Sequence, residues 1–393
     1  MNVARYDERG RVVVRRAGVV AAVALALTAL GAMLNLQRTL WAYHVAFVYW
    51  VGIALGALIV NMAFHAGKAR WYVVIRRLIE TIPLSGALFL VLFIPIVLGA
   101  SYIFPWLDPS HLDEHLRHVA EHRRPYLNMP FFVIRAAIYF ALWIVVANLL
   151  YRWSVRQDTE GGVALTLRQR RLGAGALPFI GLAMTFAAFD WQMSVDLHLE
   201  STIFGLYWFA GSFLSAFAVI VLWLNAMRAE GLPGALVNAN HYHSLGKYML
   251  AFTAFWAYMA FSQYLLIWIA NLPHEVPFYI ARNRGEWLPF GVALVVLHFL
   301  VPFFLLLSRS LKRDPRKLGW MAVWILVIHY VDVYWVVMPA LQHDVPRPHW
   351  TDLTALVGVG AAAVAFVAWR LGGQLTVPVQ DPYIDESLRY DPS

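Results

Sequence analysis

The stretch FDWQMS at residues 189–194 places an aspartate, Asp190, at the end of the apolar run GAGALPFIGLAMTFAA. His65, Glu80, Arg135, Gln263, His298, His329 and Asp332 are in the same position, each in or at the edge of a long apolar run. A charge at the centre of a bilayer costs roughly 2.5–3.5 kcal/mol or more, so such residues face a bundle interior or a wet cavity, and function is the default reading. Two kinds of chemistry use a set like this. One is a proton relay, with protonatable groups at intervals where water is scarce; the other is the polar end of a quinone pocket. The plainer reading is a set of paired buried charges that fix helix register. His65 and Glu80, with Asn61 and Asn148, fall toward one end of their runs, and the other six fall in the middle or the opposite half. His329 and Asp332 are three apart and share a helix face. Arg135 carries the charge to neutralise Asp190 or Asp332, so Asp190 is either a relay carboxylate or a counter-ion. His298 and His329 are only loosely matched in depth for a b-type haem, and either could bond a neighbouring carbonyl instead.

The elements that carry these residues are apolar runs. The chain has 393 residues, 61% hydrophobic and 14% charged, against about 25% charged in a soluble protein. About 20 apolar residues cross about 30 Å of hydrocarbon as a helix. Ten runs qualify, at about 17–36, 43–65, 79–101, 129–151, 173–195, 202–226, 246–271, 287–308, 318–340 and 351–371. The expected fold is an all-α polytopic membrane protein: a segment 1–16, a ten-helix membrane domain over 17–371 and a polar tail over 372–393, with the longest loop at 102–128. Spans 2–5 (about 43–195) and 6–9 (about 202–340) run in the same directions, and spans 5 and 9 each carry one aspartate. Two four-helix bundles in parallel repeat, plus two flanking helices, would account for that.

Most of the 31 lysines and arginines fall on one side of these spans; Arg38, Arg117, Arg123, Arg124, Arg282, Arg284 and Arg347 fall on the other. The positive-inside rule then puts both termini in the cytoplasm. The net charge of +8 is accounted for by orientation and contact with anionic lipid, and no basic cluster is left to suggest nucleic acid. The first run reads as a retained helix rather than a signal peptide, because its leading segment is long and holds Asp7 and Glu8. There is no cysteine, which excludes a disulfide, a thiolate metal site and a cysteine-ligated iron–sulfur cluster within the chain. C-x-x-C-H is likewise missing, so no haem is attached covalently. In the loop, HLDEHLRHVAEH sets His111, His115, His118 and His122 at spacings of four, three and four, one stripe of a helix. Such a stripe could hold zinc; a short interfacial helix facing solvent or a partner is the plainer expectation.

Six long stretches carry a resemblance: RRLIETIPL, YLNMPFFVIRAAIYFALW, FDWQMSVDLHLESTIFGLYWFAGSFLSAFAVI, LGKYMLAFTAFWAYMAFSQYLLIWIANLPHEVPFY, VPFFLLLSRSLKRDP and HYVDVYWVVMP. Over about residues 60–340 the chain resembles the NrfD-like membrane subunits of alternative complex III, a bacterial quinol:electron-acceptor oxidoreductase. Of the two homologous ten-helix types in that complex, ActC and ActF, the FSQYLLIWIANLPHE stretch and the length look like the ActF type, also named quinone-binding subunit 2. The resemblance implies a two-bundle fold in the bacterial inner membrane with cytoplasmic termini. It also implies an ActC-like neighbour and periplasmic partners that hold the iron–sulfur clusters and multihaem c-type haems, with a terminal oxidase as a further candidate partner. In this family the ActC-like subunit is the firmer candidate for quinol oxidation, and the ActF-like one has been considered proton-conducting. The motifs carry over Glu80, Arg135, Asp190, Gln263, His329 and Asp332. Glu80 with His65 would take up protons at the inner side, and Asp190, Arg135, His329 and Asp332 would form one middle-to-outer cluster. Two other classes stay open. One is an NrfD-like, quinol-oxidising anchor of a molybdenum or iron–sulfur oxidoreductase. The other is a secondary transporter, for which Pro83, Pro95 and Pro178 would supply helix breaks.

Overall fold

Backbone polar groups in hydrocarbon must bond to one another, and each long apolar run of the chain is helical. The computed structural model describes residues 4–229, 232–342 and 345–391. It is all-α, with ten helices long and apolar enough to cross a membrane: α1 (Glu8–Leu34), α2 (Leu36–Ala66), α3 (Val73–Leu98), α4 (Met129–Glu160), α5 (Val163–Val195), α6 (Phe204–Ala226), α7 (Ala239–Ala270), α8 (Gly285–Leu307), α9 (Pro315–Ala340) and α10 (Trp350–Leu371). All ten expected spans are present, and the chain is a multi-pass membrane protein. Some ends differ from expectation. α1 begins at Glu8, and the polar stretch between spans 4 and 5 is helical up to a tight turn at Gly161 and Gly162. Their φ values of 63° and 76° suit glycine, which has no Cβ to clash there.

Two helices are interrupted. α3 passes through a 3-10 turn at Ile82–Ser85, which holds Pro83, and breaks again beside Pro95. α8 widens into a π turn over Val295–Leu300, with His298 inside it. Pro302 is the cause. It lacks the N–H that would bond the His298 carbonyl, and its ring crowds that carbonyl. Pro178 lies inside α5, which continues through it.

α2 and α6 form the centre and are the two most deeply buried of the ten spans. α6 packs on α2, α5, α7 and α9, and α2 packs also on α5 and α10. The two approach closely because Gly52 and Gly56 leave room: a Cβ at Gly52 would meet Ser212 and Trp208, and one at Gly56 the Ser212 backbone. Small residues at such crossings let helix backbones pack tightly in lipid. α1 lies along α10, with Gly31 against Thr351, Gly358 against Leu25, and a 3.0 Å hydrogen bond between the hydroxyls of Thr28 and Thr354.

Both termini lie at one end of the bundle, where Tyr6 N–H donates to the Gln374 carbonyl at 3.2 Å. The tail expected as a polar extension folds across this end, burying Thr376, Val377, Asp381 and Ser387. At the opposite end the histidine stripe is shorter than the spacing suggested. His111 belongs to a separate 3-10 turn, Pro109–His111, and only His115, His118 and His122 share the helix Glu114–Arg123. All four side chains are exposed.

That opposite end is pinned by Arg282, which is fully buried. It donates to the Val336 carbonyl at 2.7 Å, to the Phe278 carbonyl at 2.8 Å and to Asp196 at 3.3 Å. Burial alone would raise the Asp196 carboxyl, but hydrogen bonds from His198 and the Arg282 charge outweigh it and hold Asp196 at about 2. A carboxyl lowered on folding contributes stability above its unfolded value of about 3.9, on the order of 2 kcal/mol, and loses it as pH falls toward 2. Thermal unfolding of the detergent-solubilised chain should therefore weaken between pH 5 and pH 3 more in the wild type than in Asp196→Asn. Equal pH dependence in the two proteins would remove Asp196 from this role.

Candidate functional site

The intramembrane polar residues named above gather in three places, while His44 on α2 stands apart, buried with its Nε2 2.5 Å from the Trp191 carbonyl. In the first, Arg135 on α4 meets Asp190 on α5 in a bidentate pair: Nε and Nη2 donate to the two carboxylate oxygens, each at 2.8 Å. The Tyr139 hydroxyl adds a third hydrogen bond to Asp190 at 3.0 Å. The remaining Arg135 nitrogen, Nη1, donates to the Tyr126 carbonyl at 2.7 Å, and the guanidinium lies 3.9 Å from the Tyr126 ring and 4.4 Å from that of Phe131. Fork-to-fork pairing of this kind is the strong form of a buried ion pair. With its oxygens engaged by Arg135 and Tyr139, Asp190 has the geometry of a counter-ion.

The second place lies among α6, α7, α8 and α9. Tyr207 donates a short hydrogen bond to Asp332, and Trp256 Nε1 donates to the other carboxylate oxygen at 3.1 Å. His329 Nδ1 stands 3.4 Å from that second oxygen. His298, offered by the π turn, is stacked on Trp256 with ring centroids 3.9 Å apart, and its centroid is 5.8 Å from that of His329. Among the described residues neither imidazole finds a hydrogen-bond partner, and both are buried. One donor atom each from His298, His329 and Asp332 falls within 4.8 Å of the others. A tetrahedral zinc shell, with bonds of about 2.0–2.1 Å, needs its donors about 3.3 Å apart; His329 Nδ1 and Asp332 are near that spacing at 3.4 Å, and the set offers three ligands without a fourth. Among the described residues, the loop histidines form no comparable group.

Asp332 also lines a cavity of about 670 Å³ between α7, α8 and α9, together with Tyr207, Trp256, Gln263, Tyr279 and Gly291. Phe261, Val292 and Val295 at its rim are exposed on the apolar surface of the bundle. Gln263 accepts from the Ser201 hydroxyl at 3.1 Å and donates to Tyr279 at 3.2 Å. A cleft of this size with few convergent polar groups is typical of small-ligand sites.

The third place is at the termini end. Arg76 and Arg77 on α3 are buried, and three carboxylates face them. Arg76 donates to Asp381 of the tail at 2.5 Å, and Arg77 donates to Asp158 of α4 at 2.9 Å. Glu80 lies 3.1 Å from Arg76 Nε and 3.7 Å from Arg77 Nε, without a well-directed hydrogen bond on either oxygen. His65 Nε2 is 3.9 Å from Glu80. Asn148 turns elsewhere, accepting from Arg370 at 3.1 Å.

The expected pairing of His65 with Glu80 and of His329 with Asp332 is therefore present. The expected single cluster of Asp190, Arg135, His329 and Asp332 is divided in two, because α6 packs between α5 and α9. Between the levels of the second and third places, α6 and α2 carry buried polar atoms with no hydrogen-bond partner among the described residues: Ser212 Oγ and Ser215 Oγ on α6, Asn61 Oδ1 and His65 Nε2 on α2. Gly211 backs directly onto the His329 ring, at the level of Ser212. α2 and α6 run the same way, since Gly52 faces Ser212 while Phe64 faces Phe217. Buried polar groups find partners in nearly all structures, and ordered water fills that role where protein does not.

Sequence reasoning passed over Tyr207, Trp256, Tyr139 and Asp381. Tyr139 had a usable signal, one helical turn after Arg135. The other aromatics look like ordinary membrane residues, and a tail aspartate looks solvated. No family model matches this chain, and no curated protein matches it.

If Asp190 serves as a counter-ion, losing one partner should hurt more than losing both. Arg135→Met alone should destabilise the chain by about 3–5 kcal/mol, while Arg135→Met with Asp190→Leu should recover most of that. Denaturant or thermal unfolding in detergent reads the difference. A double variant no more stable than the single one would contradict the assignment.

Proposed function

We propose that this chain is an ActF-like, NrfD-type membrane subunit of an alternative-complex-III quinol:electron-acceptor oxidoreductase, and that its own task is to conduct protons. In this reading it sits in a bacterial inner membrane with both termini cytoplasmic, beside an ActC-like homologue and under periplasmic iron–sulfur and multihaem cytochrome c partners. Those partners carry the redox metals, in keeping with a chain that has no cysteine. The family assignment rests on the sequence stretches quoted above.

The observation that carries proton conduction is the line of unpartnered buried polar atoms, Asn61, Ser215 and Ser212, between the Glu80–His65 pair and His329. Helical spacing puts Ser212 and Ser215 about 4.5 Å apart along α6, and Asn61 and His65 about 6 Å apart along α2, distances that one or two waters bridge. A proton taken up at Glu80 or His65 passes along hydroxyls and water to His329. From there it reaches Asp332, 3.4 Å away, whose charge Tyr207 and Trp256 hold in place by hydrogen bonds. Each transfer would run between neighbouring polar atoms through bridging water, so no side chain has to carry a bare charge through apolar surroundings.

A second reading has its own observation. The cavity at Asp332 opens toward lipid, and a quinol head group seated there would lie beside a carboxylate that can accept its proton. The two readings separate by variant. In proteoliposomes of the assembled complex, Ser215→Leu should cut protons moved per electron at least about tenfold, by inserting an apolar side chain into the polar line, with quinol oxidation retained. Gly291→Phe, which fills the cavity, should leave both intact under the first reading and abolish quinol oxidation under the second. Unchanged proton stoichiometry in Ser215→Leu would refute conduction along this line.

A further inference from the structure

We infer that Asp381, carried back into the bundle by the C-terminal tail, is a positioning residue that leaves one exchangeable proton on the inner ionic cluster. This inference rests on the proton-conducting reading and gives its uptake site a specific chemistry. The buried charges of this cluster do not balance by themselves. Two guanidiniums, Arg76 and Arg77, are buried against three carboxylates, Asp158, Glu80 and Asp381, with the Arg76, Arg77, Glu80 and Asp381 side chains at most 1% exposed. Ions moved out of water cost several kcal/mol each unless compensated, so a cluster with an unmatched negative charge is strongly disfavoured. Neutrality requires one proton in addition to the five ionised groups.

The hydrogen bonds indicate where that proton resides. Asp381 and Asp158 each take a direct hydrogen bond from an arginine, at 2.5 and 2.9 Å. Glu80, although it is closest to both Nε atoms, takes none with good direction. The surplus proton therefore belongs to Glu80 or to His65, 3.9 Å away. A protonated imidazole would be a third cation beside two guanidiniums, and the carboxyl is the host that adds no charge. Tyr72 and Tyr151 also border the cluster, and two further cations near them, Arg170 and Arg370, are only half-buried and stand outside the sealed group.

The tail is built to keep Asp381 there. The Ser387 hydroxyl accepts from the Val74 N–H at 3.0 Å and donates to the Trp71 carbonyl at 2.6 Å. Glu386 pairs with Arg70 at 2.8 Å, and the Tyr390 ring lies 5.7 Å from that of Trp71. Thr376 bonds the Ala4 carbonyl at 3.2 Å. These contacts fasten the segment on both sides of Asp381 and place its carboxylate on Arg76. Without that carboxylate, the two arginines are matched by Asp158 and Glu80 alone. Glu80 is then held as an anion by Arg76 and has no proton to exchange.

Infrared difference spectroscopy of the full-length chain in lipid tests this. The wild type should show the band of a protonated, buried carboxylic acid that Glu80→Gln removes. Asp381→Asn should lose the same band, and Asp381→Glu should restore it, which a merely misfolded tail would not do. The inference is overturned if the wild type has no band assignable to Glu80, or if that band survives Asp381→Asn. Proton stoichiometry of the complex keeps the two claims apart. A stoichiometry that falls in Glu80→Gln but not in Asp381→Asn upholds conduction and rejects the role of Asp381. A band that follows Asp381 while stoichiometry ignores Glu80→Gln upholds the charge balance and rejects conduction through this cluster.

Discussion

A carboxylate removed from water must find a counter-charge or a proton, and this constraint organises the interior of the bundle. The three polar sites meet it in three ways. Asp190 has a whole guanidinium to itself and two carboxylate oxygens fully engaged by Arg135 and Tyr139. Asp332 has no arginine and relies on hydrogen bonds from Tyr207 and Trp256 with imidazoles nearby. The termini-end cluster has one acid more than its arginines can match. The first arrangement is static, whereas the other two leave a proton with more than one place to be. On the proposed reading, proton handling belongs to the second and third sites, and register to the first.

The helices serve this division through local irregularity and close approach. Pro302 widens one turn of α8 and so brings His298 inward beside Trp256; π turns of this kind recur at functional sites. Gly52, Gly56 and Gly211 remove the Cβ atoms that would separate α2, α6 and the His329 ring. The fifth and ninth helices each present an aspartate, and each faces a basic residue from the helix before it: Arg135 on α4 for Asp190, His298 on α8 for Asp332.

Much of this was legible in the residues. Ten spans follow from apolar length alone, the His329–Asp332 pair follows from helical spacing, and the need of Arg135 for an aspartate partner follows from charge complementarity. What was hidden has physical reasons. Whether Arg135 served Asp190 or Asp332 depends on which helices adjoin, which periodicity does not encode. Arg76 and Arg77 are indistinguishable in sequence from the arginines that set orientation, yet they are buried. Asp381 stands in a polar segment, and only tertiary contact 305 residues away in the chain makes it part of the site. Tyr207 and Trp256 are polar only at their tips and leave no trace in hydropathy. The histidine stripe of the loop failed at His111 because Pro109 starts a separate turn before the helix cap at Asp113.

The central claim is that the line from Glu80 and His65 through Asn61, Ser215 and Ser212 to His329 is hydrated. A density map of the assembled complex in lipid, at a resolution that shows ordered water, tests it most directly. The account predicts waters bonded to Asn61 Oδ1, Ser215 Oγ and Ser212 Oγ and continuing to both histidines. Apolar side chains closed over those atoms, with no solvent density between Ser215 and Asn61, would contradict it.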